Sequence, residues 1–274
     1  GGRTVNAGLL RKTARDTLPL LLLAVAGLLL FEMLFVKAIG DFASEMLKLW
    51  ERQPFLKNMI QLLVGARFGV DVSTTGLVTI GMSHPLLLAM TWAFILTTCS
   101  RVLAGEIDRG TADLLLTLPV SRAGVYTTVT LVVVLSGALL SAVPLCGIAL
   151  GSRLFPIEPP VEPGRLLIPA VNLLAMYLAV AGTSLFFSSV LSRRGNVVAI
   201  LMTLLLLSFL VNFLEALWQP AQRVAVLGIL RYYRPLAAVQ DGAWPVRDLV
   251  VLMTAATVTW LAGLIVYVRR DIPA

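Results

Sequence analysis

The residues able to do chemistry in this chain are few and far apart. The one histidine, His84, stands directly before Pro85, and the two cysteines, Cys99 and Cys146, lie inside long apolar runs. A metal centre needs several such ligands converging in space, and this spacing offers no cluster for one. Both cysteines therefore read as buried free thiols, and His84 as a hydrogen-bonded structural residue. No Ser-His-Asp set and no paired carboxylates suggest a catalytic site, so no catalytic residue is assigned. The phosphate-cradling pattern G-x-x-x-x-G-K-[ST] is absent as well, so any chemistry on ATP and magnesium is expected on another chain.

Two carboxylates invite a different reading. Glu32 lies inside one apolar run and Glu215 closes another. A carboxylate at membrane depth is costly unless it pairs or reaches water, which makes both residues candidates for a translocation path. The plainer reading of Glu32 is escape to the outer interface beside Lys37.

A third feature is a polar island, residues 101–126, RVLAGEIDRGTADLLLTLPVSRAGVY, between two apolar runs. Ile107, Leu114, Leu115 and Leu118 recur at helical spacing, while Glu106, Arg109, Gly110 and Asp113 share another face, so its first half reads as an amphipathic helix. Pro119 ends it, Ser121 is placed to cap the next helix, and Arg122 sets a charge at a membrane boundary. Glu106, Gly110-Thr111, Leu114-Leu115-Leu116 and Pro119-Val120-Ser121-Arg122 resemble the E-x-x-x-G-T-x-x-x-L-L-x-x-P-V-S-R signature of ABC type-2 exporter permeases. The resemblance implies that this segment contains a coupling helix docking on a separate ATPase subunit. Glu106, Asp108, Arg109, Gly110, Thr111, Asp113, Pro119, Ser121 and Arg122 would then be its coupling residues.

These residues sit on a scaffold whose class follows from composition. Hydrophobic residues make up 58% of the 274, charged ones 14%, and mean hydropathy is +0.90, which excludes a water-soluble globule. The formal net charge is +7, yet the basic residues stand at the ends of apolar runs, where membrane topology rather than nucleic acid places them. The chain opens on Gly1-Gly2 without an initiating Met, which fits a processed or added start.

Six apolar runs are long enough to cross a bilayer: 18–36, 77–100, 124–150, 166–191, 197–214 and 249–268. The first is too long for a signal-peptide core and is kept as a span. Residues 3–17 carry Arg3, Arg11, Lys12 and Arg15 among Val5, Leu9 and Leu10, the pattern of an interfacial helix on an anionic surface. Residues 37–76 form an outer insertion with two amphipathic stretches, one on each side of Pro54. Pro85 should kink the second span, and Gly147 with Gly151 should let the third pack closely on a neighbour. Gly65 and Gly69 repeat that spacing outside any long apolar run.

Residues 152–165 hold four prolines and read as a stiff outer loop, and 192–196 as a tight basic turn carrying Arg193 and Arg194. Between the last two spans, residues 215–248 are too short in their apolar middle to cross, and Trp218 and Trp244 suit an interface. By position this stretch is similar to the re-entrant helices of type-2 permeases.

The inner segments of this plan carry as many Lys and Arg as the outer ones in little more than half the length. The positive-inside rule therefore puts both termini in the cytoplasm of a cell with this chain in its inner, cytoplasmic membrane. The expectation is an all-α integral membrane protein of six transmembrane helices in a single domain. By the resemblance it is the permease of an ATP-driven exporter, a homodimer or a heterodimer with a related permease, bound to two ATPase copies. Two other classes stay open. One is an ABC-like subunit passing force to a periplasmic accessory protein, favoured by the 37–76 insertion; the other is an intramembrane enzyme.

Overall fold

The computed structural model describes residues 7–52, 73–108, 121–215 and 218–270. Among the described residues there is no strand. Long helices are α1 (Ala7–Arg52), α3 (Pro85–Asp108), α4 (Arg122–Leu154), α5 (Pro163–Val190), α6 (Arg194–Glu215) and α9 (Val246–Arg269). Short ones are α2 (Thr74–Thr79), α7 (Gln219–Ala225) and α8 (Pro235–Asp241). Five helices are each long and apolar enough to cross a membrane, and α2 with its 3-10 extension makes a sixth with α3 if the bent pair is one span. Helices suit this setting because lipid offers no partner to an unpaired backbone group.

The bend in that pair is 42° and falls at His84 and Pro85. Pro85 has no amide hydrogen to continue the helix. His84 leaves helical geometry at ψ 136°, and its Nδ1 accepts from the Leu86 amide at 3.2 Å, capping α3. His84 thus has the structural, hydrogen-bonded role expected of it.

At the centre stands α5, packed against α3, α4 and α9, while α1 lies along α4 and α6 along α3. Large apolar side chains stay exposed on the outer helices, among them Leu22 and Leu23 of α1, Leu206 and Leu207 of α6, and Val258 and Ile265 of α9. Such a surface is stable in lipid and not in water.

Small residues set the closest approaches. A Cβ on Gly147 would lie 2.6 Å from the Glu32 Cβ and 3.1 Å from the Leu29 carbonyl oxygen, and one on Gly151 only 3.2 Å from the Met33 Cα. Across the bundle, a Cβ on Gly182 would meet the Ala256 carbonyl oxygen at 2.6 Å, and one on Gly263 the Phe186 Cα at 3.0 Å. With lipid as apolar as leucine, helix contact depends on such close packing, as expected for Gly147 and Gly151.

Three readings change. The interfacial stretch, the first span and the start of the outer insertion form one unbroken α1 of 46 residues, with Pro19 inside it. At 1.5 Å per residue it is about 69 Å long, more than twice a bilayer's hydrocarbon core. The stiff loop is shorter than 152–165, because α4 runs to Leu154 and Pro163 already opens α5, a position where its missing amide hydrogen costs nothing. Cys99 is buried as expected, but Cys146 is exposed on the outside of α4. An apolar run facing lipid and one facing a core look alike in sequence, so burial of Cys146 did not follow from its neighbours. Residues 65 and 69 lie outside the described residues.

Candidate functional site

The site is the end of the bundle where α3 finishes and α4 and α6 begin. Leu103 and Ala104 are fully packed, so the polar stretch starts deeper in the bundle than Arg101 suggested, and α3 carries it out to Asp108. Asp108 is exposed, and its Oδ2 accepts from the Arg194 backbone amide at 3.4 Å, at the start of α6. A carboxylate there meets unpaired amides and the positive end of the helix dipole. The Arg194 side chain reaches back, its Nε donating to Ser100 Oγ at 3.3 Å. Two stretches 86 residues apart, both singled out by sequence, are thereby joined.

The rest of this end is tied by arginines on backbone carbonyls. Arg101 donates to the Asp16 carbonyl of α1 at 2.9 Å. Arg270, just past α9, donates to the carbonyls of Ser189 at 2.9 Å and Leu191 at 3.2 Å, and to Ser192 Oγ. It thus satisfies acceptors that the end of α5 leaves open. Arg122 donates in turn to the Arg270 carbonyl. Residues 16, 101, 122, 194 and 270 therefore share one end of the bundle.

Ser121 caps α4 as its position suggested, its Oγ accepting from the Gly124 amide at 3.1 Å. Ser121→Ala should cost about 1 kcal/mol. A thermal unfolding midpoint lowered by a few degrees checks this, and an unchanged midpoint speaks against the cap.

Arg193 is exposed beside this joint. Glu106 is on the last turns of α3, while Arg109, Gly110, Thr111, Asp113 and Pro119 lie outside the described residues, as does most of the expected amphipathic helix. Among the described residues no nucleophile and base meet at this end, and no group of three or more His, Cys, Asp or Glu could hold a metal ion. The Asp108 and Arg194 contacts tie the end of α3 to the start of α6.

At the opposite end, residues 218–245 fold back onto the bundle through α7, a 3-10 turn at Ile229–Tyr232, and α8. Asn172, about 14 Å along α5 from its start, donates to the Tyr232 carbonyl at 3.1 Å and accepts from the Arg234 amide at 3.3 Å. Leu230 donates its amide to Ser208 Oγ at 3.3 Å, and Tyr233 its hydroxyl to the Met82 carbonyl at 2.8 Å. Asn172, Ser208 and Tyr233 were missed in the sequence, although an asparagine inside an apolar run was a readable signal. Trp218 and Trp244 are both exposed beside this segment.

The two translocation-path candidates part company. Glu215 pairs with Arg231 at 3.3 Å and stays a quarter exposed. Glu32 does not escape to an interface beside Lys37. It is 0% exposed and neither oxygen has a hydrogen-bond partner among the described residues, while Lys37 pairs with Asp41 at 2.7 Å. Helical spacing explains this: Lys37 faces Asp41, one turn on, whereas position 32 faces Gly147. Compared with known proteins, the chain matches no family model and no curated protein.

Proposed function

We propose that this chain is the membrane-spanning permease subunit of an ATP-driven exporter of the ABC type-2 class. Two such subunits, identical or related, work with two copies of a separate ATPase that holds ATP and magnesium. The observation that carries the reading is the Asp108 to Arg194 contact. It links the stretch bearing the Glu106 to Arg122 signature with the short basic turn 192–196, which the sequence assigns to the same side. An ATPase pushing on the helix around residues 104–118 would thus move α3 and α6 together. The bend at Pro85 and the segment 218–245, read as re-entrant, supply the parts that open the far side. In this reading the termini and the Asp108 end lie in the cytoplasm.

A cysteine at Asp108, in a chain whose exposed Cys146 is replaced by alanine, tests that placement. A membrane-impermeant maleimide should label it only after cells are opened. Labelling from outside intact cells contradicts the reading.

The overrun of α1 supports a second reading, in which the subunit transmits force to an outer accessory protein without itself transporting. Movement of that partner on ATP hydrolysis, with no substrate crossing, distinguishes the two.

A further inference from the structure

Glu32 is an ionisable group for whose charge the described residues supply no partner. Its carboxyl is 0% exposed, and neither oxygen finds a donor among the described residues. An ionised carboxylate so placed is prohibitively costly without a cation or donors. Among the described residues no nearby charge acts on it: Lys37 is engaged by Asp41 at 2.7 Å, and α4 presents Gly147 at the contact while Cys146 faces outward. From the 3-10 turn beside it comes His84, whose ring lies on Phe31 and Phe35 at 5.0 and 6.1 Å. From the folded-back segment comes Tyr233, within electrostatic reach but with its hydroxyl given to Met82.

Space narrows the ligand further. A Cβ on Gly81 would lie 2.5 Å from Glu32 Oε2 and 2.9 Å from the Phe35 ring. The side of the carboxyl that faces Gly81 is therefore filled, and among the described residues Glu32 belongs to no group of three or more His, Cys, Asp or Glu that could hold a metal ion. A proton needs no such group.

Gly81 belongs to the piece Thr74–Ser83, which is separated from α3 by the 42° break. This piece is fastened through Met82 to Tyr233 and through Thr75 Oγ1 to the Glu162 amide at 2.9 Å. We infer that Glu32 is a proton-binding site over which the segment Thr74–Ser83 closes. The closed form holds the neutral carboxyl, and opening exposes Glu32 to water and releases one proton. The closed form thus binds one proton more than the open one, so acid favours closure and alkali favours opening. This holds whether or not an ATPase drives the cycle.

The test uses the full chain in detergent, with Ser83→Cys as reporter and Cys146→Ala to remove the exposed thiol. The rate of maleimide labelling at position 83 is measured with and without Glu32→Gln, and their ratio cancels the thiol's own ionisation. That ratio should rise with pH, by up to about tenfold per unit for one linked proton. A ratio that stays flat overturns the inference. On the Glu32-bearing reporter alone, the labelling rate divided by that of the denatured chain, which carries the thiol's own ionisation, should also rise with pH. A quotient that stays flat with pH overturns the inference even if Glu32→Gln does not fold.

Discussion

Gly147→Leu, alone and more so with Gly151→Leu, should abolish the monodisperse folded protein. Overfilling a packed interior costs about 1–3 kcal/mol where side chains can move aside. Here a Cβ on Gly147 already meets the Leu29 carbonyl oxygen at 3.1 Å, and one on Gly151 the Met33 Cα at 3.2 Å, so α1 itself must back away from α4. Separation of that pair also uncovers Glu32. The same change at Gly164, which has nothing within 4 Å, should leave folding intact. Size-exclusion profiles and thermal unfolding in detergent compare the variants. Equal behaviour of the Gly147 and Gly164 variants would show that the glycine contact does not hold the bundle.

On the proposed function, Glu106→Ala and Gly110→Leu should each uncouple a partner's ATP hydrolysis from this chain while leaving it inserted in normal amount. Both residues belong to the signature, and Glu106 precedes the Asp108 to Arg194 joint by half a helical turn. Coupling between sites is typically about 1–3 kcal/mol, so the loss should be roughly 5- to 150-fold in permease-stimulated hydrolysis. Proteoliposomes containing permease and ATPase give that readout, with membrane content measured on the same samples. Undiminished transport by both variants removes the coupling mechanism.

The features legible in the sequence were those governed by local rules. Pro85 broke its helix, Ser121 capped the next one, and Gly147 with Gly151 marked a close helix contact. The hydrophobic composition was enough to indicate a bundle of apolar helices. What stayed hidden depended on which way a residue faces, because in a membrane protein the outside is as apolar as the core. Cys146 and Cys99 sit in equivalent runs, yet one faces out and the other in. The same symmetry concealed Glu32, whose neighbours in sequence are leucine, phenylalanine and methionine on every side. The joint at Asp108 was legible only as two separate stretches. Nothing local says that position 108 meets position 194, since that contact depends on how α3 and α6 pack.

The proposed function requires a separate ATP-hydrolysing subunit acting at the Asp108 end, and isolating the full chain from its own membrane in mild detergent tests this directly. An ATP hydrolase should come with it, two copies for each pair of these chains, and a crosslinker fixed at position 108 should capture it. Full activity in a preparation holding no ATP hydrolase would contradict the proposed function.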